Sequence, residues 1–238
     1  MGDRFIHITD LHFWEVVLNP FRLLNKRALG MMNVVLHRRH EFVMERAWEY
    51  VEYVNGLDVE DVVITGDFTS TATRFEFEEG VRFVEALERA GKRVVVIPGN
   101  HDVYTFSSVR KKEFGKYFFR WIPDEPPPCI HRLSNGRPIV FVPTVCPNFV
   151  SSKGRISDNE IESAVALVES LDSPVLVAGH YPILNRTSAY ESSSGRRLRN
   201  GEKLRNALAD CGRDVFYFCG HVHRFSDEVD PDYGNVRQ

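Results

Sequence analysis

The amino-acid sequence predicts an α/β protein, on three observations. Short apolar runs rich in Val and Ile recur along the chain, nearly continuous in hydrophobicity, as strands buried on both faces require. Segments with apolar residues at helical spacing separate most of them. Most of the runs then end in a glycine or a tight turn, where a strand hands the chain to a loop.

The predicted strands are residues 5–8, 62–64, 94–97, 139–142, 175–178 and 215–218. The first helix is expected over 41–53, where Phe42, Ala47, Tyr50 and Val51 fall at roughly helical intervals that Val54 continues. A second over 76–90 carries Val81, Phe83, Val84 and Leu87 inward and stops at Gly91. A third over 158–171 starts behind Ser157, an N-cap with Glu160 placed to complete a capping box. A shorter one is expected over 201–209. Between Arg132 and Val142 the turn Ser134-Asn135-Gly136-Arg137 joins two extended pieces, so a hairpin and a second sheet with antiparallel pairing are expected. Pro126-Pro127-Pro128 reads as a stiff extended connector. No internal repeat or low-complexity tract is present.

At 238 residues the chain is long enough for one good-sized core, and a single domain over 1–238 is expected. A formal net charge of −3 exerts no global pull on nucleic acid or anionic membrane, so no nucleic-acid partner is expected. Cys129, Cys146, Cys211 and Cys219 are scattered without a CxxC pair, which fits reduced thiols and a cytoplasmic setting. The N-terminal residues lack the pattern of a secretory signal. No apolar run reaches the roughly 20 residues that span a bilayer. Residues 20–39 stand apart, mixing apolar side chains such as Phe21, Leu24 and Met31 with Arg22, Lys26, Arg27, Arg38 and Arg39.

The chemistry lies where the strands end. Residues 5–9 run into Asp10-Leu11-His12, and 62–65 run into Gly66-Asp67. Residues 94–98 run into Gly99-Asn100-His101-Asp102, 175–178 into Gly179-His180, and 215–219 into Gly220-His221-Val222-His223. Ligands of open α/β sheets bind outside the carboxyl ends of the strands, so these side chains are expected at one edge of one sheet. Glycine permits a sharp exit from a strand and close approach of backbone to an ion or phosphate. A mixture of imidazole, carboxylate and carboxamide suits two transition-metal ions, and two ions about 3.5–4 Å apart can bind both ends of an in-line displacement at phosphorus. Gly-Asp alone is an ordinary turn signal. Five strand ends carrying ligand-type residues are hard to obtain as independent turns.

These motifs, Asp10-x-His12, Gly66-Asp67, Gly99-Asn100-His101-Asp102, Gly179-His180 and Gly220-His221-x-His223, resemble the ordered set of the calcineurin-like metallophosphoesterases. The resemblance covers nearly the whole chain. It implies a four-layer αββα sandwich of two mixed sheets, the metallo-dependent phosphatase fold. It also implies hydrolysis of phosphoester bonds at two divalent or trivalent ions, Mn²⁺ or Fe first and Zn as the alternative. Asp10, His12, Asp67 and His223 would hold one ion and Asn100, His180 and His221 the other, with Asp67 bridging. His101 would be the non-ligand histidine that serves the leaving oxygen, and Asp102 would orient it.

Gly66-Asp67-Phe68-Thr69 with Phe75-Glu76-Phe77, and Gly154-Arg155-Ile156, are similar to the branch holding bacterial class III cyclic-nucleotide phosphodiesterases. Two departures matter. Residues 68–71, Phe-Thr-Ser-Thr, lack the second Asp and the Arg of protein Ser/Thr phosphatases, so that activity is not expected. His180-Tyr181-Pro182 stands where the branch has His-His-Pro. Strands normally follow the last motif, yet only a short tail follows His223, so unusual pairing of the tail or a shortened form is expected.

The expected substrate is a small-molecule phosphodiester or pyrophosphate such as a nucleotide. Arg196, Arg197 and Arg199 are candidates to grip its phosphate through bidentate contacts. If residues 20–39 act as a lid or touch a membrane, the chain resembles lipid A pathway enzymes that cleave UDP-2,3-diacylglucosamine at the inner membrane face. A third reading, from another class, is a non-catalytic scaffold of the same fold.

Overall fold

The computed structural model describes residues 4–15, 44–148, 151–184 and 194–238. These fall into two compact units, an N-terminal one built mainly from residues 4–122 and a C-terminal one mainly from 123–146 and 151–238. The 20–39 segment and the start of the first predicted helix lie outside the described residues.

In the N-terminal unit, β1 (Phe5–Ile8), β2 (Asp61–Ile64) and β3 (Arg93–Val96) form a wholly parallel sheet in the order β1-β2-β3. Phe5 pairs with Asp61, and Asp61 with Arg93. The central strand β2 is buried along its length, as its unbroken Asp-Val-Val-Ile run requires. Parallel neighbours need crossovers, supplied by α1 (Met44–Asn55) and α2 (Arg74–Arg89). Helix α2 starts two residues before its expected position, because Glu76 is not the first helical residue but the third. Its carboxylate closes a capping box on Thr73. Phe77, Phe83, Val84 and Leu87 point into the core, each contributing about 1.5–3 kcal/mol of burial. The Gly91 stop is present at φ +84°. Two short helices that periodicity did not reveal follow β3, α3 (Phe106–Arg110) and α4 (Glu113–Phe118).

Glu76 is buried, which pushes its carboxyl up to about 7, with the charge of Glu15 adding to the effect. The N–H groups of Thr73 and Thr71 and the Thr71 hydroxyl donate to it and act in the opposite direction.

The C-terminal unit opens with the expected hairpin, β4 (Cys129–Arg132) antiparallel to β5 (Pro138–Phe141), around Gly136 at φ +82°. The sheet then grows by parallel addition of β7 (Val175–Ala178), β9 (Val215–Phe218) and β10 (Val236–Arg237), giving the order β10-β9-β7-β5-β4. A separate two-stranded pair joins β6 (Gly154–Arg155) to β8 (Leu198–Arg199). The helices α5 (Asp158–Glu169) and α6 (Gly201–Asp210) pack on a core that includes Val140, Ile161, Val177, Leu204 and Tyr217. The Ser157–Glu160 capping box of α5 is formed.

The tail after His223 pairs with the C-terminal sheet. Val236 lies beside Val215 in parallel, so the terminal strand extends the sheet edge, and Val229 meets Arg237 in an antiparallel bridge. An ion-pair clamp of Arg205 on Asp230 and Asp232 ties it to α6. Burial pushes Asp230 up, but the Arg205 guanidinium and the Asp232 N–H hold its carboxyl below the usual range. Gln238 Oε1 accepts from Ile183 N and Leu184 N at 2.7 and 3.1 Å.

Candidate metal centre

The expectation of one sheet edge is corrected. The loops carrying Asp10, Asp67 and Asn100 leave β1, β2 and β3 of the first sheet, whereas His180 and His221 follow β7 and β9 of the second. The chain starts a new sheet at the β4–β5 hairpin, and β7 adds to β5, not to β3.

In the N-terminal unit the loops after β1 and β2 run side by side. Asp10 N donates to Gly66 O at 3.0 Å, His12 N to Asp67 O at 2.9 Å and Phe13 N to Phe68 O at 2.8 Å. This ladder delivers Asp10, His12 and Asp67 to one place. His12 Nε2 lies 3.7 Å from Asp10 Oδ1 and 3.6 Å from Asp67 Oδ2, with all three side chains deeply buried. These separations exceed a hydrogen bond. They are slightly wider than the roughly 3–3.5 Å between ligand atoms that each sit about 2.0–2.2 Å from a shared cation. His12, Asp67 and His101 bring one ligand atom each within 4.8 Å of one another. Asp10, His12 and Asp67 all hold left-handed backbone, at φ 59°, 52° and 57°. Such conformations cost a non-glycine residue about 1 kcal/mol or more and gather at functional sites. The donor set, an imidazole beside two buried carboxylates, therefore suits a divalent ion.

The Gly66-Asp67 and Gly99-Asn100 turns meet at van der Waals limits. A Cβ on Gly66, at φ +96°, would stand 2.0 Å from Gly99 N, and a Cβ on Gly99 would stand 2.2 Å from Asp67 Oδ1. Only glycine at both positions lets these turns meet. Asn100, next in the chain, is buried.

Asp102 differs from its expected role. Its Oδ2 accepts from Asp67 N at 2.8 Å and Gly99 N at 2.9 Å, and its Oδ1 accepts from Thr69 N and Thr69 Oγ1, both at 3.0 Å. Both carboxylate oxygens are thus committed to Asp67, Thr69 and Gly99, and the carboxylate does not orient the His101 ring. Burial and the neighbouring charge of Asp67 push its carboxyl up, while the Gly99 and Thr69 donors pull it down.

His101 is instead held by main chain. Its Nδ1 lies 2.6 Å from Ser70 O, and since a carbonyl can only accept, Nδ1 carries the proton. Its backbone N–H donates to Asp67 Oδ1 at 2.7 Å. Tyr104 stacks on the ring with centroids 5.2 Å apart, and His12 meets it edge-on at 4.8 Å. Ser70 and Tyr104 were not legible as site residues. A carbonyl partner leaves no side-chain signal, and Tyr104 has no motif of its own.

The C-terminal unit repeats the device of paired loops. Gly179 N donates to Phe218 O and Gly220 N to His180 O, both at 3.0 Å. His180 is fully buried, with its backbone N–H donating to Thr144 Oγ1 at 3.0 Å. Its ring stands 5.4 Å from that of His221. His221 Nε2 lies 2.9 Å from Arg196 O, so that nitrogen donates. His221 and His223 are again left-handed, at φ 73° and 53°, and His223 is exposed. Tyr181, at the position where His-His-Pro was the comparison, packs on His221 at 4.1 Å and donates from Oη to Ser152 O.

The three arginines separate. Arg196 reaches the site through its carbonyl, and its side chain is exposed. Arg197 lines a cavity of about 490 Å³ with Pro182, Ile183, Lys203 and Asn206. Arg199 is exposed on β8, paired with Arg155.

No curated protein matches the chain. Thirty-eight solved chains do, and one of them aligns over 97% of this chain and 87% of its own at 11% identity and TM-score 0.47, a distant likeness. The family comparison is decisive: residues 3–225 match the calcineurin-like phosphoesterases. The parallel and mixed sheets with their helices have the composition of that α/β fold, and the family's metal-dependent hydrolysis of phosphoesters accounts for the buried histidine and carboxylate loops. The chain belongs to the calcineurin-like phosphoesterase family and is a metal-dependent phosphoesterase.

Proposed function

We propose that the chain hydrolyses a small-molecule phosphodiester or pyrophosphate, nucleotides being the first class to test. By the family resemblance, Asp10, His12, Asp67 and His223 would hold one ion and Asn100, His180 and His221 the second, with Asp67 serving both. The observation that supports a bound ion is the convergence of His12 Nε2 on the Asp10 and Asp67 carboxylates, at 3.7 and 3.6 Å, both beyond hydrogen-bond distance. Two bound ions lower the pKa of coordinated water and neutralise charge on phosphoryl oxygens. The ligand chemistry favours Mn²⁺ or Fe over Zn, because carboxylate and carboxamide oxygens stand beside imidazole.

The protein's own groups do the rest. Asp102 holds the Asp67 and Gly99 turns in register through their backbone N–H groups. The Ser70 carbonyl keeps the proton of His101 on Nδ1, so Nε2 is the nitrogen that can pass a proton to a leaving oxygen. Such general acid catalysis contributes about 10²–10⁴-fold. Tyr104 packs the ring in place. Arg197, which lines a cavity, is the arginine we assign to a substrate phosphate.

A panel of cyclic nucleotides, nucleotide-linked pyrophosphates and simple phosphodiesters, assayed with Mn²⁺, tests this reading. Turnover confined to phosphomonoesters would contradict it. The lipid-linked alternative rests on residues 20–39, and release of UMP from UDP-2,3-diacylglucosamine would favour it.

A further inference from the structure

Residues 106–120 carry a surface that the hydrolytic site does not use. Helix α3 turns Ser108 inward and leaves Phe106 and Val109 47% and 39% exposed. The chain then bends through Lys112, left-handed at φ 53°, into α4. Helix α4 buries Phe114 and Phe118, which pack on Phe68 at 6.2 and 4.4 Å. Its other side and the residue beyond it expose Lys116 and Phe119, the latter to 66%. Arg110, Lys111 and Lys112 are exposed in the connection.

Phe106 and Val109 are three apart on α3, with Arg110 one step on, so they share a face. Lys116 lies on α4 one turn beyond Lys112, whose carbonyl accepts from the Lys116 N–H at 3.0 Å. Among the described residues, none of Arg110, Lys111, Lys112 and Lys116 makes an ion pair. Arg120 is different, since it pairs with Glu88. Glu113 is the only acidic residue from 106 to 120. In a chain of net charge −3 this is a local excess of cations interleaved with exposed Phe and Val.

We propose that this surface docks on an anionic lipid bilayer, with Phe106, Val109 and Phe119 entering the headgroup boundary and the four unpaired cations meeting the headgroups. Charge complementarity selects an anionic partner. The interleaved Phe and Val side chains select one with apolar depth beneath its charge, which a bilayer offers and an acidic protein surface does not. Each cation near such a surface strengthens binding about fivefold, so the four supply on the order of several hundredfold. The inference does not depend on the substrate proposed above.

Co-sedimentation of the full chain with vesicles tests it. Binding is expected to vesicles of phosphatidylcholine mixed with phosphatidylglycerol, to weaken as salt is raised, and to be weak with phosphatidylcholine alone. Lys111→Ala with Lys112→Ala should lower binding at least tenfold, at about fivefold per cation. Hydrolysis of soluble bis-p-nitrophenyl phosphate should stay unchanged in that variant, which shows that it is folded. Phe119→Ser, on a separate element, should weaken binding even if the lysine variant fails to fold. Equal binding to neutral and anionic vesicles, or binding unaffected in both variants, would overturn the proposal. So would absence of vesicle binding together with lysine-dependent binding of a DNA oligonucleotide.

Discussion

Replacing Asp102 by Asn tests how the ligand turns are held. The carboxylate accepts four hydrogen bonds, two from the Asp67 and Gly99 N–H groups and two from Thr69. An Asn in the same rotamer can keep its oxygen on Asp67 and Gly99. Its NH₂ then faces Thr69, whose hydroxyl can rotate to accept, but the Thr69 N–H loses its acceptor. An unsatisfied buried donor costs about 1–3 kcal/mol, and turning charge-assisted bonds into neutral ones costs roughly 1 kcal/mol each. Relief of the repulsion with Asp67 offsets part of this, leaving a loss of about 2–4 kcal/mol. For a chain of this size that lowers Tm by roughly 5–15 °C. Calorimetry of the metal-loaded and metal-stripped protein, with turnover of bis-p-nitrophenyl phosphate in parallel, gives the answer. A variant that melts within a degree or two of the parent and keeps full turnover would refute the view that Asp102 holds the ligand turns.

Three further outcomes are expected. Gly99→Ala should abolish turnover and weaken metal binding, read by calorimetric titration with Mn²⁺, because its Cβ would lie 2.2 Å from Asp67 Oδ1. His101→Ala should retain metal and lose roughly 10²–10⁴-fold in turnover, and metal loss would instead make His101 a ligand. Glu76→Gln reports on pH. Its folded pKa of about 7 lies above the ordinary value of 4.5, so its contribution to stability is full below the unfolded pKa and is lost as pH rises through 7. The parent should therefore lose more stability than the variant between pH 5 and 8, by up to about 3 kcal/mol, and parallel pH profiles of Tm would contradict this.

The parts of the fold that periodicity could reveal are those buried on both faces or closed by a local cap. The unbroken apolar run of β2 and the Ser157–Glu160 box declare themselves through nearest-neighbour chemistry. Helices α3 and α4 did not, because their few turns give too short a period. Strand order was hidden as well. Whether β7 adds to β3 or to β5 is decided by long-range pairing, and this is why two sheets, not one, carry the ligand loops. The placement of Asp10, His12, Asp67, His180 and His221 just after strand ends was legible, because each apolar run stops at a turn that carries them. The role of Asp102 was not. Adjacency to His101 suggested a partner for the ring, but its carboxylate turns back to Asp67 and Gly99, at positions separated from it by 35 and 3 residues.

The central claim is that these loops hold two ions used to cleave phosphoesters. Metal analysis of the purified chain, coupled to Mn²⁺-dependent hydrolysis of bis-p-nitrophenyl phosphate before and after chelation, tests it most directly. The account predicts two ions per chain, turnover lost on chelation and restored by Mn²⁺, and both lost together in Asp67→Ala. A chain that binds no divalent ion and shows no turnover with Mn²⁺, or an Asp67→Ala variant that keeps both, would contradict it.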